Sequence, residues 1–136
     1  MPQETKHASV VWRRGLEFEG GMPGGPTAVT DGHGTAGPSP VVLLLVAVAG
    51  CTGSDVISIL EKMRMKVESF RIEVAGLRRE EMPKRFVSIH LLYHVAGTGL
   101  DEGKIRHAID LSLEKYCSVT HSLAGDIAVT YDVALG

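Results

Sequence analysis

The chain holds two thiols, Cys51 and Cys117. A thiolate is a nucleophile, a metal ligand or one half of a disulfide, so these positions bound the chemistry available. The opening residues MPQETKHASVVWRRG lack the apolar core of a secretory signal, which points to a reducing, cytoplasmic setting. In such a setting a cysteine pair reads as redox-active more readily than as a structural staple. A plainer reading stands beside it, in which both cysteines are small buried hydrophobes. Two histidines, His90 and His94, suggest a metal, but on a strand they lie about 13 Å apart, too far to share one ion. They read as a polar strand face, and no metal or cofactor is implied.

Cys51 lies in the stretch around which the chain is organised, Ser39 to Arg64, SPVVLLLVAVAGCTGSDVISILEKMR. Ser39 suits a helix N-cap and Pro40 the first helical position. The run Val41 to Ala49 is apolar on every side, so it predicts a helix buried all round. After the cysteine, Val56, Ile57, Leu60 and Met63 recur at helical spacing among charged residues, which predicts an amphipathic second half. Gly50 and Gly53 weaken a helix interior, while Thr52 and Asp55 have the spacing of an N-cap and its N3 partner. A break there sets Cys51 before a new helix N-terminus, whose partial positive charge favours a thiolate. A continuous helix instead sets Asp55 one turn away, where its charge disfavours one. The spacing is read in favour of the break.

The remaining elements follow from periodicity. Ala8 to Trp12 and Leu16 to Glu19 form a hairpin about Gly15, and Thr27 to Thr30 a third short strand. The glycine-rich run through Gly32, Gly34 and Gly37 lacks phosphate-loop spacing and reads as a mobile connection. From Val67, Phe70, Ile72 and Val74 alternate with charged residues. Val87, Ile89, Leu91, Tyr93 and Val95 form a longer strand beyond the segment RREEMPKR, which reads as a solvated hairpin loop rather than an anion site. A helix capped near Asp101 places Ile105, Ile109, Leu113 and Tyr116 on one stripe and ends at Cys117. A last strand, Asp126 to Leu135, turns Ile127, Val129, Tyr131, Val133 and Leu135 inward. The fold class is α+β, one domain over residues 1–136, with no internal repeat.

Composition narrows the partners. With 44% apolar residues and a formal charge of −2, the chain can bury one real core. It shows neither a basic stripe for nucleic acid nor an apolar run long enough to span a membrane. A helix apolar on all sides needs cover that one small sheet cannot supply, which argues for an intertwined homodimer.

Taken together, GPSPVVLLLVAVAGCTGSDVISILEKMR, LEKYCSVTHSL and the earlier WRRGLEFEG resemble the OsmC/Ohr family of thiol peroxidases, most of all its YhfA-like branch. The resemblance runs from about Val10 to Val133. It implies an OsmC-like fold with antiparallel sheets around a long central buried helix, in an intertwined homodimer with two active sites at the interface. By the same resemblance, Cys51 attacks an organic hydroperoxide and becomes a sulfenic acid. Cys117 then resolves it as a disulfide, and an external dithiol, lipoyl-type in some relatives, restores both thiols.

The chain departs from that family pattern at two places. The family glutamate nine or ten residues before the first cysteine is absent, Val42 and Val41 standing there. The family arginine over the thiolate has only Arg13 and Arg14 as candidates, and strand alternation lets at most one of them point inward. The plain alternative leaves both exposed. Glu17 or Glu19 is a possible substitute carboxylate to orient an arginine. His121 is either a base for the resolving thiol or an ordinary loop histidine, and Glu114 lies one turn before Cys117. The competing function is a dimeric module that binds a lipid-like molecule in an apolar pocket, with Cys51 idle or a redox sensor.

Overall fold

Gly15 adopts a φ of 49° in the computed structural model, which describes residues 2–136, and this left-handed turn returns β1 (Ser9–Arg14) onto β2 (Glu17–Gly21). A third strand, β3 (Thr27–Asp31), completes an antiparallel sheet in the order β1-β2-β3, as the hairpin signals predict. The register slips between Trp12 and Arg14, leaving Arg13 at a bulge. Strict alternation therefore does not govern the two arginines, because a bulge re-aims the side chain it carries. The glycine-rich connection after β3 is organised by Asp31, whose buried carboxylate accepts the backbone N–H groups of His33 and Ala36 at 2.9 and 3.0 Å.

The contacts of the chain gather in two units, Met1–Leu44 and Leu45–Gly136. The second unit holds the larger core. Its sheet runs in the order β4 (Lys66–Arg78), β5 (Phe86–Thr98), β6 (Ala128–Leu135). β4 and β5 pair antiparallel about the RREEMPKR loop, whereas β5 and β6 pair parallel. An all-antiparallel arrangement is thus corrected for this sheet. The cause is the helical crossover between β5 and β6, which carries the chain back to the end where β5 began.

That crossover consists of α2 (Glu102–Leu111), a single π-turn (Ser112–Tyr116) and the short α3 (Ser118–His121). Asp101 caps α2 by accepting the Lys104 N–H at 3.1 Å, as expected. The helical periodicity carries no sign of the π-turn, which alters the stripe: the extra residue rotates Tyr116 to the surface, 56% exposed. Leu135, also expected inside, is exposed where β6 runs out.

Helix α1 (Pro40–Lys62) is continuous, so the expected break beside Cys51 does not occur. Ser39 caps it as predicted, its hydroxyl accepting the Val42 N–H at 3.3 Å. Thr52 caps nothing and is fully buried. The two glycines cost the helix about 1 kcal/mol each in propensity, yet Gly53 lies against the sheet, where an added Cβ would meet Ile72 Cδ1 at 3.3 Å. Close packing outweighs the local preference.

Val48, Thr52, Val56 and Leu60 recur every fourth residue along α1 and form its buried stripe. They pack on Ile89, Leu91, Tyr93 and Val95 of β5, with Ile105, Ala108 and Ile109 of α2 closing the core. The first half of α1 does not match the expectation of all-round burial within one chain. Val41, Val42, Leu44 and Val46 are exposed, Val46 to 53%.

Because it is unbroken, α1 has the length and composition to cross a membrane, contrary to the shorter run expected. Its second half packs on the sheet and carries Thr52 and Asp55 into protein contacts.

Gly76 of β4 faces the core where no side chain fits: a Cβ would lie 2.5 Å from Phe86 Cε1 and 3.0 Å from Leu45 Cδ2. Gly76→Ala is expected to destabilise the protein by about 1–3 kcal/mol. The measure is a lower urea midpoint at unchanged slope.

Candidate functional site

Helix α1 presents Cys51, half-buried, and the end of the π-turn presents Cys117, fully buried; both thiols are free. The π-turn closes when the Cys117 N–H reaches the Ser112 carbonyl at 2.7 Å, after which Cys117 takes an extended backbone and caps α3. Cys117 therefore sits at a corner between two helical segments. Burial pushes its thiol pKa up. Hydrogen bonds from the Thr120 hydroxyl and backbone oppose that shift, and the neighbouring Cys51 thiol adds to it both as a hydrogen-bonding partner and by its charge. The Thr52–Ser112 contact and the bond from the Cys117 N–H to the Ser112 carbonyl hold the segments that carry the two cysteines together in the second unit.

Beneath them lies a chain of buried hydroxyls. Thr52, the residue after Cys51, has its Oγ1 2.8 Å from the Tyr93 hydroxyl and 2.8 Å from Ser112 Oγ. Ser112 Oγ is also 2.9 Å from the Asp55 carboxylate. Ser112 Oγ donates toward Thr52 Oγ1 and lies within reach of the Asp55 carboxylate, which only accepts, while either hydroxyl of the Thr52–Tyr93 pair can be the donor. Burial pushes the Tyr93 phenol up to about 12, with its hydrogen bond to Thr52 opposing, so Tyr93 keeps its proton at neutral pH. Its ring is held edge-on by Phe70 and Tyr131, at centroid distances of 6.2 and 5.9 Å.

These hydroxyls were not singled out from the sequence, although a signal was present. Thr52 interrupts the apolar stripe Val48, Val56, Leu60, and Ser112 follows Ile105 and Ile109 on the stripe of α2. A polar residue at a core position is the informative exception.

The remaining candidates fall as follows. Arg13 pairs with Glu19 at 2.7 Å and Arg14 with Glu17 at 3.0 Å, so each guanidinium of the hairpin has its own carboxylate. Hydrogen bonding from Thr27 first and Arg13 second holds the Glu19 carboxyl below the usual range. His121, the last residue of α3 rather than a loop residue, has its Nε2 2.9 Å from the Leu113 carbonyl. Glu114 and His121 line an open groove of about 500 Å³ with Asp110, Leu113, Ile127 and Tyr131, and neither cysteine lines it. His90 and His94 have separate partners, Thr130 at 2.7 Å and Glu73 at 2.8 Å. Among the described residues no cluster of histidine, cysteine and carboxylate is arranged to hold a metal ion.

Residues 32–132 match the family model described as OsmC-like protein. The chain belongs to the OsmC family. It is 39% identical over 125 residues to the protein YhfA of Escherichia coli K12, covering 91% of this chain and 93% of that one. A hypothetical protein from Aquifex aeolicus has the same fold, with a TM-score of 0.84 at 29% identity over 98% of this chain and 99% of its own. An organic hydroperoxide resistance protein OsmC from Legionella pneumophila is similar in fold alone, with a TM-score of 0.65 at 16% identity over 98% and 99% of the two chains. The OsmC fold is therefore common to relatives whose names concern hydroperoxide resistance and to relatives whose names assign no activity.

The raised pKa of Cys117 fixes the sign of a pH effect. A thiol must ionise before it attacks, so closure of the disulfide from an oxidised Cys51 is expected to accelerate as pH rises. It should still be accelerating above about pH 8.5, where an ordinary thiol is half ionised. Stopped-flow measurement of disulfide closure between pH 6 and 10 checks this; a plateau below the ordinary thiol range would contradict it.

Proposed function

We propose that this OsmC-family protein is a cysteine-based peroxidase that reduces organic hydroperoxides in defence against oxidative stress. The observation that carries the reading is the adjacency of a half-buried Cys51 and a buried Cys117 brought in from a different element. Cys51 as thiolate attacks the peroxide oxygen, the O–O bond breaks, and the alkoxide leaves as alcohol on taking a proton. The resulting sulfenic acid is then attacked by the Cys117 thiolate, which expels water and closes the disulfide. An external dithiol, of lipoyl type, returns the pair to thiols. The whole chain acts as a single OsmC-like domain in the cytoplasm.

The working unit in this reading is an intertwined homodimer with an active site at each subunit interface. The uncovered apolar side chains of α1, together with Val10, Val11 and Trp12 of β1, support it, since side chains of this size left in water favour burial by a partner. An arginine from the hairpin, Arg13 or Arg14, supplies the positive charge over Cys51. The Glu19 and Glu17 ion pairs support that role by orienting the guanidinium in place of the absent family glutamate at Val41 or Val42.

Addition of one equivalent of cumene hydroperoxide is expected to remove both titratable thiols of each chain rapidly. Cys51→Ser abolishes turnover, while Cys117→Ser permits a single oxidation that stops at the sulfenate. Unchanged thiols, or equal turnover in the two variants, would overturn the reading in favour of a binding module. Of Arg13→Ala and Arg14→Ala, one is expected to slow Cys51 oxidation about a hundredfold, the scale of losing one preorganised charge at a reacting centre. Stopped-flow consumption of peroxide measures both.

A further inference from the structure

Cys51 and Cys117 are joined by a short closed path through the core that does not depend on any contact between the sulfurs. Thr52 follows Cys51 directly and is locked to Ser112 at 2.8 Å; the Ser112 carbonyl then takes the Cys117 N–H at 2.7 Å. Ser112 is the one residue that belongs to both halves of this path. Its side chain fastens the π-turn to α1 at two points, Thr52 and Asp55, and its backbone starts the turn that ends at the second cysteine. Thr52 and Ser112 are fully buried, so water does not substitute for either bond. A π-turn is also a loosened piece of helix, with one more residue per turn than its neighbours, and it keeps its shape where tertiary contacts hold it.

We propose that Ser112, through Thr52 and Asp55, is the positioning residue of the thiol pair: it sets the effective concentration of Cys117 at Cys51 and hence the ease of closing their disulfide. The inference deepens the two-thiol reading above and rests on it for its biological meaning, but its physical content concerns only the closure equilibrium. That equilibrium is measurable without peroxide. The Cys51 and Cys117 thiols together give up two protons and two electrons as their Sγ–Sγ bond forms. One glutathione disulfide accepts them and is cleaved to two glutathione thiols.

The experiment equilibrates the full chain with mixtures of reduced and oxidised glutathione and titrates the disulfide formed. Ser112→Ala and Thr52→Val are each expected to lower the effective concentration about tenfold, the consequence of losing one buried hydrogen bond between the two segments. Thr52→Ser, which keeps the hydroxyl, should stay within about twofold of the parent. Ile105→Val weakens the core away from this path and serves as the control, lowering the thermal midpoint while leaving the effective concentration in place. Circular dichroism verifies that each variant is folded.

An unchanged value in Ser112→Ala, or a drop matched by Ile105→Val, overturns the inference, as does a parent protein that forms no disulfide against glutathione. If the parent closes its disulfide against glutathione and Ser112→Ala impairs closure, yet cumene hydroperoxide consumes no thiol, the peroxidase reading fails while the positioning role stands. If peroxide oxidises both thiols but Ser112→Ala closes as readily as the parent, the positioning role fails and the peroxidase reading stands.

Discussion

The bond between the Thr52 and Ser112 hydroxyls joins the middle of α1 to the turn at the end of α2 inside a core otherwise made of aliphatic and aromatic side chains. A buried hydroxyl without a partner costs about 1–3 kcal/mol, so the two segments can dock only in the register that satisfies both groups. Tyr93 and Asp55 complete the constraint at either end, and no buried side-chain polar atom among the described residues is left without a partner. Apolar packing alone tolerates small slides and rotations. A satisfied polar chain does not, and this is how a small core specifies one arrangement of the segments that carry its two cysteines.

The same helix that takes part in this constraint is uneven along its length. Its second half is an ordinary amphipathic helix packed on a sheet, while Val41, Val42, Leu44 and Val46 meet solvent in the single chain. The membrane-like composition of α1 belongs to that contrast. Thr52 and Asp55, in the second half of the same helix, find hydrogen-bond partners inside the protein.

The N-terminal hairpin carries its own ion pairs. The carboxylates paired with the hairpin arginines are Glu19 for Arg13 and Glu17 for Arg14, both on the neighbouring strand. The bulge at Arg13 matters to this arrangement, since it lets consecutive arginines meet two different strand partners instead of pointing to opposite faces.

The sequence by itself determined the elements, their order and the two thiols as the chemical groups of interest, because periodicities of two and of about four residues are local properties written directly in the residues. Family membership was legible for the same reason, through motifs around Cys51 and Cys117. Only the tertiary structure decided that α1 runs unbroken, since at Gly53 close packing on Ile72 and Phe70 outweighs helix propensity. The parallel pairing of β6 likewise depends on where the crossover returns the chain. Thr52, Ser112 and Tyr93 meet only when three elements are folded together, so spacing marks Thr52 and Ser112 as polar residues at core positions but not which groups they bond. The π-turn that brings Cys117 to its corner begins at Ser112, the residue those bonds tie to α1.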